Sequence, residues 1–100
     1  MTVTPSSGNV FLDLGFPPEE AASLLIRADL MIAVRKITDR RRLKPAQIAT
    51  LLGVSQRRLR DLHHGRVHLF SADDLMTMLA RLGARITVVV TPSRRPRTRA

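Results

Sequence analysis

The fold of this chain follows from residues 45–64, which read PAQIATLLGVSQRRLRDLHH. The stretch predicts two short helices that meet at Gly53. Glycine adopts a left-handed backbone without a side-chain penalty, so the chain can end one helix and change direction within about three residues. Ser55 can accept a hydrogen bond from a backbone N–H two or three residues later, which would cap the second helix. The spacing is that of a helix-turn-helix.

The apolar residues of the same stretch recur at helical spacing and predict how the two helices pack. Ala49 is small enough for the second helix to cross the first closely. We expect the inside of the motif to consist of Ile48, Ala49, Leu52, Gly53, Val54, Leu59 and Leu62. The alternative is an amphipathic helix pair in some other all-α domain, with the arginines as a solvated face. The coincidence of the glycine, the small residue and five aliphatics argues against that alternative.

Basic side chains concentrate around the motif. Residues 40–66 hold eight Lys or Arg and one acid, a net charge of +7, whereas residues 1–39 have a net charge of −2. Such a patch attracts phosphates by releasing counterions, so affinity for nucleic acid should fall steeply with salt. Arg57 and Arg58 could each pair bidentately with guanine, and Gln56 suits adenine. Double-stranded DNA is the partner that this chemistry indicates.

The stretch and its continuation through Gly65, Arg66 and the next helix resemble the Xre family of lambda-repressor-like helix-turn-helix regulators, over roughly residues 30–83. The resemblance implies that the start of the second helix enters the major groove. It also implies base reading by Gln56, Arg57 and Asp61, with Ser55 and Arg66 beside phosphates. With the basic residues added, the predicted base-reading set is Gln56, Arg57, Arg58, Arg60 and Asp61, and the predicted phosphate set is Arg42, Lys44, Ser55 and Arg66.

Pro45 departs from the family pattern, because many relatives carry there a glutamine that contacts the DNA backbone and braces the recognition helix. Proline is well tolerated at the first helical position, where its missing N–H would be unpaired in any case. We therefore expect the helix to form but one DNA contact to be lost. Lys44 could replace that contact electrostatically.

The flanking sequence predicts a mainly α protein, a five-helix lambda-repressor-like domain with a C-terminal β-strand. Residues 1–17 read as an N-terminal lead-in, mobile over its first nine residues, and residues 18–83 as the helix-turn-helix domain. Prolines and acids at residues 17–20 mark a helix start. Whether residues 18–42 form one helix or two stays open. Ser71 to Asp74 resembles a capping box with Asp in place of the usual Glu.

Residues 84–91 form the predicted strand, because RITVVVT is β-branched and alternates. A strand without a partner invites pairing with another chain. We therefore expect a two-fold homodimer through this strand, with Ile86, Val88 and Val90 on one face. Pairing with a different protein, or a hairpin with residues 10–16, are the alternatives. Residues 92–100 read as a disordered basic tail, either solvated or lying along DNA.

Other classes of function find little support in the composition. The chain has no cysteine and three histidines, and Gly65 interrupts the helix that would place His64 and His68 on one face, so we expect no metal site. No phosphate-binding glycine loop and no catalytic arrangement of carboxylates is present, so we expect no enzyme, no cofactor and no evident small-molecule effector. No run of 18 apolar residues exists, and a cytoplasmic protein without membrane contact is the simplest reading.

Two hypotheses of function follow. The first is a sequence-specific transcriptional repressor that occupies a palindromic operator as a dimer and regulates its own synthesis. The second rests on the outline of the whole chain, which resembles HigA-like antitoxins. That resemblance implies direct neutralisation of a RelE/HigB-like toxin, through the acidic segment 10–29 or the terminal strand. Sequence-independent nucleic-acid binding is a third alternative, weakened because only three Phe and no Tyr or Trp are available to stack on bases.

Overall fold

A computed structural model describes residues 2–3 and 9–90 of the chain. Within them the protein is mainly helical, as predicted, with five α-helices and two short strands. The helices are α1 Val10–Asp13, α2 Pro18–Arg40, α3 Pro45–Leu52, α4 Gln56–His63 and α5 Ala72–Arg81, and a single 3-10 turn spans Val67–Leu69. The strands are β1 Thr2–Val3 and β2 Thr87–Val88. No helix of these residues is both long and apolar enough to cross a membrane.

Helix α2 is the central element, and it is a single helix. It follows Pro17 and carries Glu19 and Glu20 in its first turn, where their charges face the positive end of the helix dipole. It then continues without a break to Arg40. Its inner face carries Leu30 and Val34, which are 2% and 0% exposed and pack with residues of α3, α4 and α5. Helix α2 packs chiefly against α5 and also contacts α4, the second helix of the motif.

The turn between α3 and α4 has the predicted geometry. Gly53 adopts φ 74° and ψ 30°, the left-handed region. The Val54 N–H donates to the Ala49 carbonyl at 2.9 Å, so a carbonyl at the end of α3 is satisfied inside the turn. Ser55 Oγ then accepts from the Arg58 N–H at 3.1 Å and caps α4. The chain changes direction over three residues, with Gly53 in the left-handed region and Ser55 extended at the N-cap.

The core joins the motif to α2 and α5. Five of the residues predicted to lie inside the motif are buried, and Val54 is partly buried. The five are Ile48, Ala49, Leu52, Leu59 and Leu62. Phe70 enters the same core and is 1% exposed. Gly53 is exposed, because its part in the motif is a backbone conformation and not packing.

Helix α5 begins with the capping box that the sequence predicts. Ser71 Oγ accepts from the Asp74 N–H at 3.0 Å, and Asp74 Oδ2 accepts from the Ser71 N–H at 3.2 Å. Aspartate therefore replaces the usual glutamate without loss of either hydrogen bond. The helix ends before Gly83, which has φ 78°.

The structure corrects the predictions for the two ends of the chain. Residues 10–13 are helical, because Asn9 Oδ1 accepts from the N–H groups of Phe11 and Leu12, so the hairpin alternative with residues 10–16 is wrong. The expectation that the terminal strand has no other partner in its own chain is also wrong. β2 pairs with β1 in parallel, Thr2 with Thr87 and Val3 with Val88.

The terminal strand is also shorter than the predicted span of residues 84–91. Ile86 packs against the core just before β2, Val88 lies in the strand, and Val90 lies beyond it with 83% exposure. Thr2 and Val3 depart from the expected mobile lead-in, because they are paired. Residues 1, 4–8 and 91, and with them the predicted tail 92–100, lie outside the described residues.

Candidate nucleic-acid interface

The exposed side of α4 carries three predicted base-reading residues. Gln56, Arg57 and Arg60 are exposed, and we call these three the recognition surface. Leu59 and Leu62, on the opposite side of the same helix, are 3% and 1% exposed and anchor it to the core. Within the described parts of the chain, neither Arg57 nor Arg60 makes a side-chain hydrogen bond or ion pair. Both guanidinium groups are therefore available to an external partner.

Asp61 and Arg66 form a loose pair at the other end of α4. Arg66 Nε lies 3.9 Å from Asp61 Oδ1, with side-chain exposures of 54% and 22%. An ion pair this open to solvent contributes roughly 0–1 kcal/mol. A phosphate could therefore take over Arg66 at little cost. The remaining predicted phosphate residues, Arg42, Lys44 and Ser55, are also exposed.

Arg58 is turned toward the protein. Its Nη1 donates to the Leu69 carbonyl at 2.5 Å, and its Nη2 lies 3.3 Å from Asp74 Oδ2. The guanidinium carbon lies 4.0 Å from the centroid of the Phe70 ring, which is a cation–π distance. Arg58 is predicted to read bases, yet its guanidinium has three partners within the protein. Arg58 therefore differs from Arg57 and Arg60 in its surroundings.

A cleft of about 340 Å³ separates the start of α3 from the outer side of α4. Pro45 and Ile48 from α3 face Gln56, Arg60 and His63 from α4 across it, with Leu59 at its base. Pro45 is at the first position of α3, as predicted, and the Lys44 N–H donates to Gln47 Oε1 at 2.9 Å. His63 lines the same cleft as Gln56 and Arg60 but is not among the predicted site residues. The sequence signal for it is the helical spacing of three residues from Arg60.

Three more arginines bond to backbone carbonyls of the fold. Arg81 Nε donates to the Leu51 carbonyl at 3.0 Å, Arg41 Nη2 to that of Leu82 at 2.7 Å, and Arg27 Nη1 to that of Phe70 at 3.2 Å. Leu51 and Leu82 lie at the ends of α3 and α5, where carbonyls lack helical partners. Neither the Arg41 nor the Arg81 contact can be read from the sequence, because each joins elements far apart in the chain. Arg41 and Arg58 are bonded to backbone carbonyls, so the exposed residues of the basic patch without such a bond are Arg40, Arg42, Lys44, Arg57, Arg60 and Arg66.

Asp74, in the first turn of α5, contacts Arg58 of α4. Its pKa is lowered, first by the hydrogen bond from the Ser71 backbone, then by the Ser71 hydroxyl, and also by the charge and hydrogen bond of Arg58. The carboxylate is therefore charged at neutral pH and over a wider acid range than an ordinary aspartate.

The described residues hold no group of three or more His, Asp or Glu side chains that could bind a metal ion. Helix α4 ends at His63, and Gly65, with φ 71°, lies between His64 and His68.

Comparison with known proteins identifies one family. The family described as helix-turn-helix domain matches residues 10–91, which includes all five helices and β2. No curated protein and no solved structure matches the chain.

Proposed function

The chain belongs to this family of helix-turn-helix domains, a fold that binds DNA, and from that premise we propose that it is a sequence-specific transcriptional regulator. In this proposal it acts as a repressor by occupancy: the protein covers a promoter, its own included, and excludes polymerase. No effector is required. The family match supports DNA binding in general, and the operator and the repressor role belong to the proposal.

The recognition surface is the observation that carries the proposal. Arg57 and Arg60 are exposed without internal partners in the described parts of the chain, on a helix anchored by Leu59 and Leu62. Guanidinium groups can pair bidentately with guanine, and Gln56 beside them can pair with adenine. Arg42, Lys44, Ser55 and Arg66 would contact phosphates and set the orientation of the protein without selecting sequence. Asp61 would face the bases beside Arg60.

A homodimer is part of the proposal, since two recognition helices about 34 Å apart read a palindromic site. Strand β2 supports it. One edge of Thr87–Val88 pairs with β1, and the other edge has no strand partner within residues 2–3 and 9–90. Val88, Val89 and Val90 are 59%, 41% and 83% exposed. An apolar strand edge of this kind favours pairing with the same strand of a second copy.

The test is binding of the purified chain to the duplex upstream of its own coding sequence and to a scrambled duplex of equal length, across a salt titration. We expect a preference of about a thousandfold or more for the upstream duplex. Arg57→Ala with Arg60→Ala should remove the preference. Lys36→Ala is the control, because it deletes an exposed positive charge of α2 outside the motif. Equal binding to both duplexes by the wild-type chain would refute a sequence-specific regulator.

A second candidate function is that of an antitoxin, which binds a RelE/HigB-like toxin directly. The surface around α1 favours it. Val10, Leu12 and Leu14 are 54%, 48% and 69% exposed, and Asp13 lies among them. A cleft of about 300 Å³ next to α1 is lined mainly by apolar residues, among them Phe11, Met31 and Ile32, and Arg35 is the charged residue in its lining. An exposed apolar surface of this kind suits a protein partner.

Co-expression with the protein encoded beside this chain tests the second candidate. We expect Leu12→Glu with Leu14→Glu to abolish neutralisation and leave DNA binding intact. Arg57→Ala with Arg60→Ala should do the reverse. Loss of both activities from either pair, in a folded protein, would argue that one surface serves both.

A further inference from the structure

We propose that Arg58 is a positioning residue of the recognition surface. In this assignment it holds α4 against the Val67–Leu69 turn and the start of α5, and it contacts neither base nor phosphate. The inference deepens the proposed function and rests on it, because a recognition surface has meaning only if the protein binds DNA. In this assignment Arg58 positions α4, whereas its neighbours Arg57 and Arg60 contact DNA.

The guanidinium group of Arg58 has three partners within the protein. Leu69 O and Asp74 Oδ2 lie at its two terminal nitrogens, and its central carbon lies over the Phe70 ring. Arginine suits this geometry because its guanidinium is planar and its donors are fixed in a fork. A lysine ammonium has no such fork, so it could not reproduce the contacts with Leu69 O and Asp74 Oδ2 in the same geometry.

The partners are themselves fixed in place. Phe70 is 1% exposed in the core, and its carbonyl accepts from Arg27. Asp74 is bonded to the Ser71 N–H in the capping box of α5. Arg58 therefore joins the recognition helix to two elements whose positions the core and the cap determine.

Release of Arg58 toward DNA would break all of these contacts at once. It would cost the charge-assisted hydrogen bond to Leu69 O and the stacking on Phe70. Arg57 and Arg60 face no such cost, since within the described residues their side chains are not bonded. A helix of eight residues depends on side-chain anchors for its orientation. Leu59 and Leu62 supply the apolar anchors, and Arg58 supplies the polar one on the α5 side.

Arg58→Lys separates a positioning role from a charge that faces phosphate. We expect this variant to lose affinity for the upstream duplex by about tenfold, near the low end of the effect of a lost charge-assisted hydrogen bond. The slope of log affinity against log salt should stay at the wild-type value, because no phosphate contact is removed. Arg57→Ala and Arg60→Ala, by contrast, should each reduce the slope by about one if they contact phosphate as well as bases. A wild-type affinity for Arg58→Lys, or a reduced slope for Arg58→Ala, would overturn the assignment.

Asp74→Asn should change DNA affinity in opposite directions depending on whether Asp74 positions Arg58 or acts only through its long-range charge. The variant removes a negative charge, so long-range electrostatics alone would raise affinity for DNA. If Asp74 holds Arg58 in place, affinity for the upstream duplex should fall instead. Asp73→Asn is the control for charge alone, since it removes an equal charge from the same first turn of α5, and Asp73 takes part in neither the Arg58 contact nor the capping box. Equal changes in the two variants would argue against positioning.

The final experiment needs no knowledge of the operator. The Nε–H proton of Arg58 should show an upfield NMR shift from the Phe70 ring, and its resonance is identified by its absence in Arg58→Lys. On addition of either duplex, we expect the corresponding resonances of Arg57 and Arg60 to move and that of Arg58 to stay. Equal binding of the two duplexes would refute sequence-specific regulation and leave this result valid. Movement of the Arg58 resonance by as much as those of Arg57 and Arg60 would overturn the positioning role.

Discussion

Arginine side chains serve two purposes in this domain, and their surroundings decide which. Arg27, Arg41, Arg58 and Arg81 donate to backbone carbonyls that no helix or strand satisfies. Arg57 and Arg60 extend from α4 into solvent. A guanidinium group can carry out either role because it has five donors and remains charged in both settings. Net charge alone therefore overstates the surface that is available to DNA.

Gly53 is the residue at which a single methyl group should matter most. Gly53→Ala places a Cβ at φ 74°, which costs roughly 1–2 kcal/mol of folding free energy. The new Cβ would also lie 3.0 Å from Nε and Cζ of Arg81 and should displace the guanidinium from Leu51 O. Denaturant titration measures the loss. Gly83→Ala, at φ 78° with nothing within 4 Å of its Cβ, is the control, and equal losses would mean that the Arg81 contact contributes nothing.

Asp74 should make the stability of the fold depend on acid pH. Its folded pKa is lowered by the Ser71 hydrogen bonds and Arg58, so its stabilising contribution is complete above the unfolded pKa of about 3.9. That contribution is lost as the pH falls through the lower, folded pKa. In thermal unfolding, the wild-type chain should exceed Asp74→Asn in stability at neutral pH, and the difference should shrink with acidification. A difference that stayed constant down to about pH 2 would contradict the assignment.

At the scale of elements, α4 depends on its neighbours for its stability. Eight residues are too few for a helix that is stable alone in water. The Ser55 cap, the burial of Leu59 and Leu62, and the Arg58 contacts each hold it in place. The exposed side of α4 carries Gln56, Arg57 and Arg60, whose side chains are not fixed by packing in the core. That division, with one side anchored and the other open to solvent, is what a reading helix requires.

Substitution of Ser55 can separate its capping role from its predicted place beside phosphate. Ser55→Ala should cost about 1 kcal/mol of folding free energy, because the Arg58 N–H loses its acceptor. Ser55→Asp should restore the cap and repel a phosphate, so stability returns while DNA affinity falls further. Unfolding and DNA titrations on the same samples measure both. Wild-type DNA affinity for Ser55→Asp would show that Ser55 does not lie beside phosphate.

At the scale of the whole molecule, the first and last described elements, β1 and β2, pair with each other, and β1 contacts α2. Strand β1 comes from the start of the sequence and β2 from the segment after α5, and they pair over two residues each. The pairing covers one edge of a short apolar strand. Dimerisation, if it uses β2, must therefore use the opposite edge or extend into the exposed residues that follow.

Val88→Asp with Val90→Asp tests that dimer. Both side chains are exposed, so the charges should leave the monomer folded but block an apolar interface. Sedimentation should show a dimer for the wild-type chain and a monomer for the variant. Affinity for a palindromic site should fall by about a hundredfold or more, because the second half-site no longer binds intramolecularly. Leu14→Asp is the control, because Leu14 is also exposed, at 69%, but lies outside both strands. A monomeric wild-type chain would refute the proposed dimer.

The helix-turn-helix could be predicted from residues 45–64 because each of its signals is local. Gly53 is required by its own backbone angle, Ser55 and Ser71 bond to N–H groups three residues away, and apolar spacing follows from the period of a helix. The identity of the outward residues of α4 follows from the same period. Local physics therefore determined the motif and the side of α4 that faces solvent.

Only the tertiary structure determined the partner of β2 and the direction of Arg58. Strand pairing between Thr2 and Thr87 joins residues far apart in sequence, and two-residue strands have no periodicity to detect. Arg58 lies in sequence between Arg57 and the buried Leu59, and its type fits solvent, DNA or protein equally well. Its orientation follows from Leu69, Phe70 and Asp74, which the packing of α5 against α2 brings beside α4. A long side chain takes the direction of its partners, and those partners exist only once the chain has folded.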